Sequence, residues 1–180
     1  WSSDLVAENV SIGTVCGGER YVFGLTSNSF NGVRRPHKDL IFFVFDPETQ
    51  KVVYKETLED FTTYTALVRI PDTGRIWIGL PDGILRFDPK RMKFVQTVPW
   101  PKGISCGGIR VFDAMDERAW FAMNSTVVQF TDGPKPKAAS IFRTRSPIAA
   151  MAAGYDGKLY YTQGVDLWAA PINGKGAKKR

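Results

Sequence analysis

The side chains best suited to bind a ligand lie close together in one stretch of the chain. Arg34, Arg35, His37 and Lys38 fall within five residues of one another. Guanidinium and ammonium groups donate charge-assisted hydrogen bonds to carboxylate, sulfate and uronate groups, so this stretch is a candidate anion site. The alternative is a solvated charged loop, partly balanced by Asp39.

Three further candidates depend on where the chain would place them. Arg110 stands in an otherwise apolar run, where it would either meet a bound anion or pair with Asp113 or Glu59. Tyr64 and Trp100 fall in predicted connections, where an aromatic ring can stack on a sugar or pack between sheets. We therefore add these three residues to the ligand-binding candidates.

Known catalytic motifs are absent from the sequence, which contains no GxSxG, P-loop, HExxH or CxxC pattern. His37 is the only histidine, so a multi-histidine metal centre is excluded, and we predict neither a metal nor a cofactor. An eliminating lyase stays open as an alternative because it needs only a cation and a base. Its candidate residues are His37, Tyr64 and Arg110.

The charge distribution argues against nucleic acid as a partner. The formal net charge is +6, and it falls to +2 without four cations near the C-terminus. These four are Lys175, Lys178, Lys179 and Arg180. Phosphate binding needs cations clustered over a folded face, so we interpret residues 173–180 as a basic flexible tail.

Cysteines, sequons and hydropathy add little about function. Cys16 and Cys106 allow either one bridge or two free thiols. Asn9 and Asn124 begin glycosylation triplets of a kind that arises often by chance. No run of 18 apolar residues exists, so we predict no membrane span.

A repeat organises the whole chain. In each copy a base precedes an apolar-aromatic run, and a second aromatic or apolar position recurs about every 42 residues. The four runs are 19–24, 74–79, 117–122 and 157–162, and the recurring positions are Phe45, Phe87, Phe130 and Ala170. The first copy is longer because of one insertion, roughly Ser27 to Lys38.

Each copy consists of short apolar runs separated by Gly, Pro, Asp and Asn, with no sustained helical spacing. A period of 40 to 45 residues with several strands per copy is typical of a propeller blade. We therefore predict an all-β fold, a β-propeller with four recognisable blades. Their predicted ranges are about 9–60, 61–102, 103–146 and 147–172.

The last blade is predicted to stop after three strands, which would leave an unpaired edge of backbone donors and acceptors. Residues 1–8 are a candidate closing strand for it. Alternatively, the remainder of a longer chain or a second copy completes a six- to eight-bladed ring. We favour the larger ring because the sequence starts without Met and four blades are the lower limit of the usual range.

The second copy carries the clearest resemblance to a known family. Its run from Gly74 to Pro89 contains a Gly-x-hydrophobic-Trp-hydrophobic-Gly strand, an Asp-Gly turn and a Phe-Asp-Pro turn. This pattern resembles the repeats of bacterial sensor-type and streptogramin-lyase-like propellers. The resemblance implies a propeller blade, and members of this superfamily include lyases, sensor domains and carbohydrate-associated surface modules.

In a propeller, the loops from strand two to strand three and those between blades share one face, where ligands usually bind. This geometry places the insertion on that face. We predict a non-catalytic module, extracellular or on the cell surface, that binds a small molecule, a glycan or a protein there. The alternatives are the lyase and a purely structural interaction scaffold.

Overall fold

The computed structural model describes residues 6, 10–27, 29–30, 33–34, 39–59, 61, 66–104, 111–172 and 178–179. For 29–30, 33–34 and 178–179 it describes the backbone alone. Every regular element in these ranges is a strand. No helix in the described ranges is long and apolar enough to cross a membrane.

Four antiparallel sheets of four strands each form the described fold. The first sheet contains β1 (Ser11–Gly17), β2 (Val22–Ser27), β5 (Leu40–Asp46) and β6 (Lys51–Leu58). The second contains β7 (Ala66–Arg69), β8 (Ile76–Leu80), β9 (Gly83–Asp88) and β10 (Lys93–Pro99). The third contains β11 (Val111–Met115), β12 (Arg118–Met123), β13 (Thr126–Thr131) and β14 (Lys137–Arg143). The fourth contains β15 (Met151–Gly154), β16 (Lys158–Gln163), β17 (Asp166–Pro171) and β18 (Lys178–Lys179).

The innermost strands bring successive sheets together. β1 contacts β7, β7 contacts β11, and β11 contacts β15. Within each sheet the strands follow in chain order outward from that innermost strand. This arrangement of sheets stacked side by side along their inner strands is that of propeller blades.

Apolar layers fill the spaces between neighbouring sheets. Phe23 and Phe42 of the first sheet pack with Phe87 of the second. Trp77 of the second sheet packs edge-on against Phe130 of the third, and Trp120 of the third faces the fourth. All six rings are almost fully buried, so aromatic burial between sheets is a main stabilising contribution.

The pairing registers correct the sequence alignment of the first copy by one residue. Phe23 pairs with Val44 as Trp77 pairs with Arg86, so Phe23, not Val22, occupies the tryptophan position. The sequence could not fix this register, since alternate residues of both strands are apolar.

The outward side of the first sheet has its own small cluster, formed by Val6, Phe43 and Phe45. The ring of Phe43 lies directly over Gly24 of the neighbouring strand. A Cβ at that glycine would sit 2.2 Å from the ring, so the close approach requires a residue without a side chain.

The C-terminal end differs from the sequence prediction, whereas the closing strand predicted at the N-terminus lies almost entirely outside the described residues. A fourth strand is present in the last sheet, because Lys178 and Lys179 pair with Ala169 and Trp168 of β17. The predicted end after three strands is therefore wrong, and the segment interpreted as a solvated tail contributes an outer strand. Of the candidate closing strand, residues 1–8, the structure describes only Val6, whose carbonyl accepts a hydrogen bond from Lys55 of the first sheet.

Candidate functional site

The predicted ligand face is marked by one departure from the repeat. The second and third strands are joined by two-residue turns in three sheets, at Pro81-Asp82, Asn124-Ser125 and Gly164-Val165. In the first sheet the same connection contains a hairpin, in which β3 (Ser29–Phe30) pairs with β4 (Val33–Arg34). The insertion thus forms strands of its own.

Most candidate side chains of this face lie outside the described residues. Arg35, His37, Lys38, Tyr64 and Arg110 belong to this group. The backbone of Arg34 ends β4, and its side chain is outside the description. Their role at an anion site therefore stays a prediction.

Trp100 is described, and its ring lies between sheets. It is 9% exposed, and its indole N–H donates a hydrogen bond of 2.9 Å to the carbonyl of Leu80. Phe121 and Phe130 of the third sheet contact its ring edge-to-face. This environment matches the packing alternative stated for Trp100, because neither ring face is open to a sugar.

The opposite face carries ion pairs that the sequence reasoning missed. It is formed by the turns from strand one to two and from strand three to four, and we call it the ion-pair face. The base at or just before the start of the second strand of each sheet pairs with a carboxylate there. These pairs are Arg20–Asp46, Arg75–Asp132, Arg118–Asp116 and Lys158–Asp156. The recurring base was visible in the repeat and was the signal that could have revealed them.

At the junction of the second and third sheets, one carboxylate binds two cations. Asp132 accepts hydrogen bonds from Arg86, from Arg75 at 3.0 Å and from the hydroxyl of Thr73. The Asp132 side chain is fully buried and that of Arg86 is 4% exposed. Arg86 also donates to the carbonyl of Gly133 at 3.1 Å. We call these residues the Asp132 cluster.

The Asp132 cluster explains an unpaired indole. Trp120 donates its N–H to Gln129, the residue that pairs with it across the strands. Trp77 is paired with Arg86 instead, which has no acceptor atom. The indole N–H of Trp77 consequently has no hydrogen-bond partner, while the guanidinium lies 5.9 Å from the ring centre.

At the junction of the first and second sheets, the same face is open. A cavity of about 400 Å³ lies there, and we call it the first cleft. Its lining combines charged, aromatic and glycine residues from both sheets. These are Gly18, Glu19, Arg20, Tyr21, Phe23, Arg69, Asp72, Thr73, Gly74, Pro89 and Lys90.

The cations of the first cleft differ in how firmly they are held. Arg69 is 27% exposed and lies 2.9 Å from Glu19, whose side chain is 90% exposed. Arg20 lies 3.1 Å from Asp46. Burial acts to raise the pKa of Asp46, but the backbone N–H of Glu48 and the Arg20 guanidinium together hold that pKa below its usual value. Arg20 is therefore held by the carboxylate of Asp46, whereas Arg69 pairs with the exposed Glu19, which is a weaker partner.

Matching backbone hydrogen bonds identify the residue that occupies the position of Asp132 in the other sheets. This comparison shows why the junction of the second and third sheets is filled and that of the first and second is open. The N–H of Asp132 donates to the carbonyl just before Arg118, and the N–H of Ile172 donates to the carbonyl just before Lys158. Phe87 of the second sheet aligns with Phe130 of the third. Asp132 lies two residues after Phe130, so its equivalent, two residues after Phe87, is Pro89. Proline has no N–H and no carboxylate, so the first cleft lacks the group that fills the next junction.

A second cavity of about 370 Å³ lies on the same face between the third and fourth sheets. Ile172 lines it at the position of Asp132. The fully exposed Tyr155 also lines it. An apolar residue at this position therefore again leaves space between the sheets.

Cys16 lies on β1 and packs against the core beside the first cleft. It is a free thiol, and burial raises its pKa to about 12, with a smaller opposing effect from Arg69. At neutral pH this thiol is protonated and a poor nucleophile. No group of three or more metal-ligating side chains occurs among the residues that the structure describes.

The sequence matches no protein-family model and no curated protein. Several solved structures that are distant in sequence have similar folds. The extracellular domain of BT3049, described as a hybrid two component system of B. thetaiotaomicron, aligns with 97% of this chain at a TM-score of 0.65 and 14% identity. The Dos1 propeller aligns with 94% at 0.65 and 13%, and the WD40 repeats of RRP9 with 96% at 0.58 and 10%.

These likenesses, together with the four sheets, confirm the predicted β-propeller fold. The chain spans 23% of the BT3049 domain, 44% of the Dos1 propeller and 64% of the RRP9 repeats. At such low identities, the resemblance concerns the fold alone.

Proposed function

We propose that this chain is a non-catalytic propeller module that binds an anionic ligand or partner at its insertion-bearing face. One observation carries the proposal: the first sheet has a hairpin where the other three sheets have two-residue turns. Loops on a rigid scaffold can vary without disturbing the packing beneath them, so binding function concentrates there.

The chemistry of the insertion indicates the ligand class. Arg34, Arg35, His37 and Lys38 offer many donors and no carboxylate. Such a set favours a carboxylate, a sulfate or a uronate-containing glycan. Tyr64, from a connection between blades, would add an aromatic surface, and Arg110, from a predicted innermost strand, would add a further cation towards the centre of the ring.

An extracellular or cell-surface location is part of the proposal. It is supported by the likeness to the extracellular domains of BT3049 and BT4673. A larger ring completed by further chain or by a second copy is compatible with the same binding face.

A glycan array that includes uronate-containing and sulfated glycans tests the proposal. The intact chain should bind acidic glycans, and the variant R34Q/R35Q/H37Q/K38Q should lose at least about tenfold in affinity. The matched control is K51Q/K93Q/K137Q, which removes three exposed cations from the starts of outer strands. It should bind like the unaltered chain.

Two results would contradict the proposal. A blank array would favour the scaffold function. Release of ultraviolet-absorbing unsaturated products from uronate polymers, abolished in His37→Ala, would show an eliminating lyase instead.

A further inference from the structure

We propose that the first cleft is a second binding site, for a small organic monocarboxylate with an aromatic or apolar body. It lies on the ion-pair face, away from the insertion, so the inference does not depend on the proposed function. The cavity volume of about 400 Å³ is in the range of small-molecule sites in proteins.

The neighbouring junction shows what this position of the fold accommodates. There, the Asp132 carboxylate lies between two sheets and accepts hydrogen bonds from two arginines. At the equivalent position of the first cleft the chain has Pro89, which brings no charge and no donor. A ligand carboxylate would therefore enter a space that the protein's own carboxylate occupies one blade further on.

Arg69 is the cation best placed to receive that carboxylate. It projects from the end of an innermost strand and is largely buried, so part of its hydration is already lost. Its partner Glu19 is almost fully exposed, and an ion pair with a group so accessible to water contributes little. A bound carboxylate can replace Glu19 and form a bidentate pair with the guanidinium.

Lys90 adds a second positive charge to the lining. Among the described residues no carboxylate lies within ion-pair distance of its ammonium group, as the ion pairs of this face involve other cations. The cleft thus offers Arg69, whose partner is exposed, and Lys90, which has no ion-pair partner among the described residues.

The body of the ligand is indicated by the aromatic residues of the lining. Phe23 and Tyr21 contact each other edge-to-face beside the cleft, and the Arg20 guanidinium lies 5.0 Å from the Tyr21 ring centre. These groups suit an aromatic ring or a short apolar chain.

Two carboxylates narrow the class further. Glu19 and Asp72 also line the cleft, and they would repel a ligand with several negative charges. A monocarboxylate fits better than phosphate, sulfate or an acidic glycan. The ligand of the first cleft therefore differs in chemistry from the ligand proposed for the insertion.

Calorimetric titration of the intact chain tests the inference with three probes. Phenylacetate carries the proposed groups, phenethylammonium reverses the charge, and sulfate is an anion without a ring. Phenylacetate should bind saturably with a Kd of about 1 mM or lower, and the other two should bind at least about tenfold more weakly.

Three variants locate the site. Arg69→Gln should weaken phenylacetate binding at least about tenfold, and Lys93→Gln, an exposed cation outside the cleft, should not. Pro89→Asp places a carboxylate in the cleft and should abolish binding without removing a cation. Thermal unfolding will show whether Arg69→Gln folds. If it does not, the result for Pro89→Asp tests the binding site by itself.

The inference is overturned if phenylacetate does not saturate, if all three probes bind alike, or if Pro89→Asp binds as well as the unaltered chain. The insertion variant R34Q/R35Q/H37Q/K38Q separates the two sites. It should retain phenylacetate binding even if the glycan array is blank.

Discussion

Two neighbouring junctions of the ion-pair face use the same backbone position in opposite ways. Between the second and third sheets, Asp132 fills the space and binds Arg75 and Arg86. Between the first and second sheets, Pro89 occupies the equivalent position and a cavity remains. The difference shows that a junction is closed where a carboxylate meets arginines of the preceding sheet, and stays open where proline stands in place of that carboxylate.

The two junctions also differ in what their cations can do. Arg86 is buried and donates to Asp132 and to the carbonyl of Gly133, so its charge stabilises the fold only while Asp132 remains. Arg69 is paired with an exposed side chain, so its charge is available at little structural cost. On the ion-pair face, Arg86 therefore has a structural role, and Arg69 is the cation proposed to bind a ligand.

The largest effect is expected from Asp132→Ala. It leaves the Arg86 guanidinium buried without its carboxylate, which should lower the free energy of unfolding by about 3–5 kcal/mol. Urea unfolding measures the change. The control Asp82→Ala, at an exposed turn on the other face, should change stability by less than about 0.5 kcal/mol. Equal free energies of unfolding for Asp132→Ala and Asp82→Ala would mean that the Asp132 cluster does not stabilise the junction of the second and third sheets.

Arg86→Gln should have a smaller effect because it exchanges one interaction for another. Glutamine can accept the N–H of Trp77, as Gln129 accepts that of Trp120. Asp132 would keep Arg75 and Thr73 but lose its buried partner, for a net loss of about 1–3 kcal/mol. Chemical unfolding together with tryptophan fluorescence would report both changes. A loss as large as that of Asp132→Ala would show that the new indole hydrogen bond does not form.

Pro89→Asp would make the open junction resemble the filled one. The new N–H can donate to the carbonyl of Gly74, as Asp132 donates to Glu117, while the unfolded chain gains freedom. We expect stability to stay within about 1 kcal/mol of the unaltered protein. Thermal unfolding measures this, and a loss of several times that amount would contradict the equivalence of the two positions.

The smallest effect concerns Cys16, which reports the charge of Arg69. Arg69→Gln removes a charge that lowers the thiol pKa, so the pKa of Cys16 should rise further. Alkylation by iodoacetamide, followed against pH in a Cys106→Ser background, should become slower at each alkaline pH. An unchanged rate would show that the Arg69 charge does not act on the Cys16 thiol.

The raised pKa of the Cys16 thiol also makes the free energy of unfolding depend on pH in the alkaline range. The pKa of the Cys16 thiol in the folded protein is raised above its ordinary value of 9.0, so its contribution to stability is complete below pH 9. The contribution is lost as pH rises from 9 toward 12, because the unfolded thiol ionises first. In Cys16→Ala, this part of the decline in the free energy of unfolding should disappear.

The sequence predicted the sheets well because each blade repeats short apolar runs with its own turn residues. It missed the one-residue register of β2, since shifting an apolar strand by one residue leaves its composition unchanged. The sequence also did not predict β18. Its two lysines are typical of a solvated tail, and they form a strand by pairing with β17.

The candidate site was predictable only in part. The insertion could be assigned to a face because connection lengths follow from the repeat. The first cleft could not, because it depends on the absence of a carboxylate at Pro89 and on residues of two different sheets. The recurring base before each second strand indicated charge on the ion-pair face, but its partners come from several elements.

The lysine strand β18 also has a consequence for handling the protein. Trypsin cleaves after lysine, and cleavage here would remove the strand that covers the backbone of Trp168 and Ala169. The strand uncovered by digestion contains Leu167, already half exposed, and would present a ready template for pairing with another molecule. Limited proteolysis should therefore produce aggregates before it produces small fragments.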